Sequence, residues 1–524
     1  MVSNNNIKKI GIVGAGPSGL VALNEFLHTS IDGESTINTL DSSKIELPSK
    51  CAFDEIVVFE QSDNIGGVWN YSLKTDPKFP KVKDYSNPKS VRPNLKSPSE
   101  DELNSSSKEK PFIRKISSIE SSNDNFWNKS AVYDDLFTNI PSRLMKFSSG
   151  LDIDYVGTEK ENNVFYPFAK HEQVFDYLKK YSNKNNLNKY IRLNTTVEKV
   201  YKKGNKWIIV VVQFDRIKGI EKWYSEEFDA VLLAVGRFNV PFIPTIENML
   251  EFNKNHPDVI SHAKSFRNFN DWENKKIMLI GSSISATDLL QYLIPKNNEI
   301  YLSSNDSKIT NVTDTAHFDW MDSVLSDKKI GIKRVPRIKK FTENGVEFED
   351  GTKVDGFDKI LFATGYHLTY PFLDIPENQG KGYIKISSGR SDQTNYAQTT
   401  VDNVYLYDFT LGEPTLGHIG IPHNPLFFLT AEVNSTALAG VWSGYKQLPS
   451  IEEQRKWCNE RLQGKISGFQ VFNENTIKSY YDKLYELAPK NRVNLQTILK
   501  ANEIAESKEV LKELFYKFSK GELK

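Results

Sequence analysis

An α/β fold is what this sequence predicts, on two observations. Lys8 to Val13 is an apolar, β-branched run that enters Gly14, Gly16 and Gly19 at the G-x-G-x-x-G spacing, and Leu20, Val21, Leu23 and Phe26 continue with a helical period. A second short apolar strand, Lys275 to Ile280, runs into a second small-residue turn, Gly281-Ser282-Ser283-Ile284-Ser285-Ala286-Thr287-Asp288. Strand, tight turn and helix N-terminus, in that order, hold a dinucleotide pyrophosphate. Gly14 permits the turn, Gly16 lets the backbone approach the phosphates, and Gly19 lets the helix pack on the strand. Pro17 and Ser18 open that helix, where proline's fixed φ is favourable. Two dinucleotide-binding, Rossmann-like domains follow.

At 524 residues the chain has room for two or three domains. Its 67 Lys and Arg balance 67 Asp and Glu, so electrostatics gives no reason to expect a nucleic acid partner. Cys51 and Cys458 stand alone, which excludes a disulfide framework, a four-thiolate metal site and a C-x-x-C redox pair. No metal site is expected. Met1 to Asn6 is polar and no apolar run is long enough for a bilayer, so the reading is a cytoplasmic protein without a transmembrane anchor. Peripheral attachment to the endoplasmic reticulum membrane is the alternative.

Past the first helix, residues 31–50 form a polar insertion. The strand Glu55 to Phe59 then ends at Glu60, the place where an acid accepts hydrogen bonds from the adenosine ribose. The insertion sets Glu60 farther from Gly14 than the usual distance of about 20 positions, and a solvated strand-end carboxylate is the competing reading. Next comes Gln61-Ser62-Asp63-Asn64-Ile65-Gly66-Gly67-Val68-Trp69. The glycine pair lets a planar cofactor lie on the backbone, and Trp69 can cover it.

G-x-G-x-x-G followed by E-x5-G-G-x-W resembles the FAD fingerprint of the flavin-containing monooxygenases, with their Baeyer-Villiger relatives. By that resemblance the fold is two dinucleotide-binding domains, the smaller NADPH domain inserted in the larger FAD domain. The implied bounds are 1–243 for the first part of the FAD domain, 244–355 for the NADPH domain and 356–524 for the second part. Residues 71–130, rich in Ser, Lys, Asn, Asp and Pro, read as surface excursions with no assigned chemistry.

Tyr133 to Phe147 is similar to the family's Y-x-x-L-x-x-N-x-P-x-x-x-M-x-F segment. The resemblance places Leu136, Thr138 and Asn139 at the cofactors and makes Asn139 the catalytic candidate, beside the flavin ring and the nicotinamide. An uncharged amide can hydrogen-bond a flavin peroxide without taking its proton. Read alone, an Asn before Ile-Pro is a turn residue. Val197 stands where relatives make a backbone contact to adenine, and Phe165 to Phe168 with the helix from His171 resembles the segment under the isoalloxazine.

The second turn matches the family's G-x-G-x-S-[GA]-x-D at Gly281, Ser285, Ala286 and Asp288, with Ser282 and Thr287 between; Ser283 replaces the second glycine. Serine is small enough for phosphate approach and costs some room. Preference for NADPH needs cations after the strand Glu299 to Ser303. Asn305 stands where many relatives have Arg, leaving Ser303, Ser304 and Lys308 as substitutes.

His262 and Phe266 retain part of the family's F-x-G-x-x-x-H-x-x-x-[YF], with His256 and Asp258 at its Phe and Gly positions. Baeyer-Villiger relatives carry Trp in place of Phe266. His262 is not assigned as a base; a surface histidine in a linker is the rival reading. The strand Phe357 to Tyr366 ends in A-T-G-Y and is expected to return the chain to the first domain.

The implied activity is that of an FAD- and NADPH-dependent monooxygenase. Its flavin hydroperoxide oxygenates a soft nucleophile, a small thiol, sulfide or amine, with dioxygen as co-substrate. The Asn and Lys bias and long insertions look like those of yeast proteins, and fungal members that oxidise small thiols suggest cysteine- or glutathione-like substrates. Competing readings are a Baeyer-Villiger monooxygenase acting on ketones and a non-catalytic FAD- and NADPH-binding protein. A homodimer is left open.

Overall fold

The computed structural model describes residues 7–80, 85, 97–116, 127–155, 163–304, 319–374, 385–388, 399–462, 474–498 and 503–523. Two parallel sheets organise it. In the first, β1 (Lys9–Val13) lies between β2 (Glu55–Phe59) and β8 (Ala230–Leu233), with Val13 level with both Phe59 and Leu233. On the β2 side follows β4 (Ile191–Arg192), and on the β8 side β23 (Leu416–His418), β22 (Phe409–Thr410) and β21 (Val404–Tyr405). Burial on both faces explains the near-continuous apolar runs of β1, β2 and β8. One face is covered by α1 (Pro17–Leu27) packed against α7 (Phe427–Trp442).

An antiparallel sheet, β3 (Phe112–Lys115), β7 (Ile220–Phe228), β6 (Lys206–Asp215) and β5 (Thr195–Lys203), flanks the first. β7 pairs with β6 because Asp215 to Gly219 turns the chain back into register.

The second parallel sheet runs β10 (Ile260–His262), β17 (Lys359–Phe362), β11 (Lys276–Ile280), β12 (Glu299–Ser303) and β13 (Lys333–Val335). A three-stranded sheet of β14 (Ile338–Phe341), β15 (Gly345–Phe348) and β16 (Lys353–Asp355) is attached to it. Between the halves the chain crosses twice, and the crossings pair as β9 (Val240–Pro241) and β18 (Tyr366–His367). The hairpin of β19 (Lys385–Ser388) and β20 (Thr399–Asp402) follows. The remaining helices are α2 (Glu100–Asn104), α3 (His171–Lys184), α4 (Met249–Asn255), α5 (Ile284–Leu293), α6 (Asp319–Leu325), α8 (Ile451–Leu462), α9 (Glu474–Tyr485) and α10 (Glu503–Ser519).

Two expectations about domain bounds are corrected. Strand Lys359–Phe362 does not return to the first sheet at residue 356. It is inserted between β10 and β11 of the second, and the return falls after it, beside β18. Residues 503–519 also leave the larger domain, since Leu511, Leu514, Phe515 and Phe518 of α10 pack with Leu289 and Leu290 of α5. Among the described residues no helix is long and apolar enough to cross a membrane.

Candidate active site

The two turns are near-duplicates. Gly14 sits at φ +103° and Gly281 at +104°; a Cβ on Gly14 would lie 2.6 Å from the Ala234 carbonyl oxygen, and one on Gly281 2.6 Å from that of Ala363. Both positions need positive φ and have the next strand's backbone in the way, so glycine is required twice for one reason. At the second small position the turns differ. A Cβ on Gly16 would meet the Cα of Gly67 at 3.4 Å, whereas Ser283 is exposed. Serine is accommodated there because the position is exposed.

That second segment is the Gly66–Gly67 pair. Gly66 N–H donates to Ala15 O (2.9 Å), and both glycines have positive φ. Val68 and Trp69 complete the short helix that follows, and the Val68 carbonyl accepts from the Ser130 hydroxyl. Glu60 is buried beneath the turn: Oε2 accepts from Ala15 N–H (2.8 Å) and Oε1 from Ser62 N–H (2.9 Å). Burial pushes its pKa up, against the pull of those two amides. Glu60 therefore braces the Gly14–Gly16 turn itself, a role its strand-end position does not reveal, and each oxygen keeps a lone pair for a further donor. Val197 is buried in β5, two residues beyond Thr195, whose N–H donates to Glu60 O.

Residues 133–139 lie at the seam between the halves and are tied to both. Toward the second turn, the Tyr133 hydroxyl donates to the Asp288 carboxylate and Tyr292 to Asp135 O (3.0 Å). Toward the first half, His171 N–H donates to Leu136 O (3.0 Å) and Thr138 N–H to Ala169 O (2.8 Å). The Thr138 hydroxyl donates to Ile140 O and accepts from Ala169 N–H. Asn139, half-buried at this point, makes no side-chain hydrogen bond with a described residue. Burial raises the Asp288 pKa to about 6, although the bonds from Tyr133 and Gln291 favour its charged form. Asp288 is thus a brace for the Asn139 loop. Ser285, Ala286 and Thr287 form the first turns of α5, with Thr287 N–H on Ser283 O (3.0 Å) and Ser282 half-buried in the turn.

The His262 motif is buried, not a surface linker. Its Nε2 donates to Gly365 O (3.0 Å) and its Nδ1 accepts from Lys264 N–H (3.1 Å), which together need a neutral ring. Burial first, with the charges of Lys264 and His367 adding to it, lowers its pKa to about 3. The unfolded chain, with a histidine pKa near 6.5, binds a proton the native state refuses as pH falls from about 6.5 toward 3. Stability supplied by His262 is complete above that window and lost through it, with a slope approaching about 1.4 kcal/mol per pH unit, one proton's worth. Urea unfolding across this range should show a shallower pH dependence for His262→Gln than for the parent chain.

Residues 71–130 are also corrected. They are not all surface: Asp76, Phe79, Tyr85 and Trp127 are buried. Asp76 pairs with Lys264, the two side chains 1% and 0% exposed, and accepts from Asn128 and Lys129 N–H. Arg267 adds bonds to the carbonyls of Ser72 (2.7 Å) and Ser130 (2.8 Å). Apolar periodicity carries no trace of this, because the anchor is an ion pair between distant segments. Asn305 and Lys308 lie outside the described residues.

The model of the flavin-binding monooxygenase-like family matches residues 119–321 and 308–499. The chain belongs to that family. A flavin-containing monooxygenase of Amanita muscaria is 25% identical over 487 residues, covering 87% of this chain and 82% of the relative. A flavin-containing monooxygenase of Arabidopsis thaliana is 26% identical over 493 residues (92% and 86%), and a trimethylamine monooxygenase of a Roseovarius species 26% over 370 (70% and 62%). Among solved structures, S-allyl-L-cysteine S-oxygenase of Allium sativum superposes with TM-score 0.64 at 20% identity over 98% of this chain and 99% of that one. Cyclohexanone monooxygenase, closed form, gives 0.52 at 12% over 92% and 97%. As a family member the chain is a flavin-dependent oxidoreductase. The backbone-lined cradle at Gly14, Gly16 and Gly67, which any Cβ would narrow, fits a flavin dinucleotide.

Proposed function

We propose that the chain is an FAD- and NADPH-dependent monooxygenase that transfers one oxygen atom to a soft nucleophile, a small thiol, sulfide or amine. The observation that carries this is Asn139: a neutral amide with no side-chain partner among the described residues, fixed at the seam between two dinucleotide turns. Gly14, Gly16, Gly19, Glu60, Gly67 and Trp69 would hold FAD, and Gly281, Ser285 and the N-terminus of α5 would hold NADPH. When bound, FAD supplies hydride acceptance from NADPH and activation of dioxygen. For a dialkyl sulfide, NADPH, a proton, dioxygen and the sulfide give NADP, water and the sulfoxide; one oxygen atom goes to sulfur and the other to water.

The protein's part is to orient and to keep water out. Thr138 and the Tyr133–Asp288 bond fix the Asn139 loop, so the amide would be held in place for a bound flavin and nicotinamide without reorganisation. Its amide NH2 group donates and cannot take up a proton, which favours oxygen transfer over release of hydrogen peroxide. Relatives named trimethylamine monooxygenase and senecionine N-oxygenase support a soft nucleophile, and Phe266 in place of the Baeyer-Villiger Trp favours heteroatom over ketone oxidation.

Asn139→Ala is expected to keep its FAD and oxidise NADPH while hydrogen peroxide replaces most of the oxygenated product. Peroxide and product measured per NADPH consumed decide this. A variant as fully coupled as the parent removes Asn139 from the mechanism.

A further inference from the structure

Arg237 stands three residues past Ala234, whose carbonyl backs the Gly14 turn. Its Nη1 donates to Ile421 O. Ile421 in turn follows Gly420, where a Cβ would lie 3.9 Å from Ser18 Oγ at the N-terminus of α1. The guanidinium therefore bridges the loops that leave β8 and β23 at their carboxyl ends, beside β1, where the strand order reverses and ligands bind.

Three deeply placed cations elsewhere have acids: Arg492 has Glu25 and Glu432, Lys264 has Asp76, and Arg192 has Glu226. Buried Arg267 is held instead by several backbone carbonyls, those of Ser72, Lys264, Phe266 and Ser130 among them, whereas the described residues give Arg237 the carbonyl of Ile421 alone. Half-buried Arg237 has no acid among the described residues; the group that acts on its charge is the phenol of Tyr370. Burial lowers its pKa only to about 10, so it stays charged. Beside it, His423 is held neutral, its pKa lowered to about 3 by burial first and then by the Arg237 charge. On the adjacent residue, Asn424 Oδ1 accepts from Thr430 (3.0 Å), while Nδ2 is buried without a partner among the described residues. Phe238 and Tyr366, rings 5.3 Å apart, form an aromatic wall at the same loops.

A half-buried cation given no described acid is poised for one. The pyrophosphates have their own backbone amides and helix N-termini at Gly14–Gly19 and Gly281–Ala286, so this cation is additional to them. We infer that Arg237 determines specificity: with His423 and Asn424 it receives the carboxylate of the nucleophile, so the substrates are small sulfides, thiols or amines that carry one. The planar guanidinium fork suits a carboxylate and discriminates against an uncharged analogue. This rests on the monooxygenase reading.

The test uses the FAD-loaded full chain with two sulfides of equal length, methylthiopropionate and methylthiopropanol. Calorimetric titration is expected to show the carboxylate bound at least about tenfold tighter, and the ratio of kcat/KM values should follow. Arg237→Met should bring the binding ratio to about one, and Arg237→Lys should restore part of it. Equal binding of both probes by the parent overturns the inference, as does a ratio unchanged in Arg237→Met. Loss of FAD or of NADPH affinity in Arg237→Met overturns it too, by assigning the cation to a dinucleotide phosphate. If neither probe is oxygenated although NADPH is consumed, the monooxygenase reading fails, and the binding ratio still decides the carboxylate site.

Discussion

Gly19→Ala should yield a chain without FAD. The added Cβ would lie 1.9 Å from the Gly14 carbonyl oxygen and 3.0 Å from its carbon, so β1 and α1 cannot keep their spacing. Neither contact is a flexible side chain that could turn away. Overpacking of this kind typically costs about 1–3 kcal/mol, and more where backbone must move. Here the part that moves is the Gly14 turn, proposed above to hold the FAD pyrophosphate. Gly14→Ala should be nearly as damaging, through its φ of +103° and the Ala234 carbonyl at 2.6 Å. Gly16→Ala, with only the Gly67 Cα at 3.4 Å, should retain a measurable fraction of cofactor. The flavin-to-protein absorbance ratio of each purified variant measures the order, and a Gly19→Ala protein with a full complement of FAD contradicts it.

Arg492→Met should cost about 3–5 kcal/mol, the range for removing one partner of a buried ion pair. Arg492 bonds Glu25 of α1 (2.7 and 2.9 Å) and Glu432 of α7 (2.8 Å), and the arginine and both acids have side chains no more than 1% exposed. Ser148 N–H also donates to Glu432 (2.9 Å). The triad joins the C-terminal segment to the helix that opens at the Gly14–Gly16 turn, the proposed FAD site, so FAD affinity should fall together with stability.

The deficit should depend on pH, with a definite sign. Burial raises the Glu432 pKa to about 7 even with Arg492 opposing it, and loss of the cation raises it further. The native variant then takes up a proton that the unfolded chain does not bind until near pH 4.5. Its deficit should therefore shrink as pH falls from about 8 to about 6. Urea unfolding at those two pH values tests this; an equal deficit at both would show that Glu432 is not the group left uncompensated.

Both dinucleotide turns were legible because each is local in sequence: a strand, a few small residues and the first turn of a helix follow one another directly, with a positive φ at Gly14 and Gly281 and Gly19 set against the Gly14 carbonyl. The Asn139 segment was legible only through its likeness to a family pattern, since an Asn before Ile-Pro carries no physical mark of its own. Its braces, Tyr133 on Asp288 and Thr138 on Ala169, join residues that nothing in their spacing connects.

Strand 359–362 shows where sequence order misleads. Following the second domain's strands and ending in A-T-G-Y, it reads as the return to the first sheet, yet its apolar residues complete the second by pairing between β10 and β11. A parallel strand reads the same in either sheet. Glu25, Glu432 and Arg492 likewise read as ordinary charges until folding buries them against one another.

By itself, then, the sequence determined two glycine-led strand-to-helix turns, the acid and glycine pair that follow the first, and the α/β class, because these depend on backbone conformation over short spans. Which sheet each later strand joins was decided by the tertiary structure. So were the burial of Asp76 with Lys264 and of Arg492 with its two acids, and the absence of a described acid beside Arg237. Those outcomes depend on which distant groups are brought out of water together, and a charge's partner far along the chain leaves no periodic trace in the sequence.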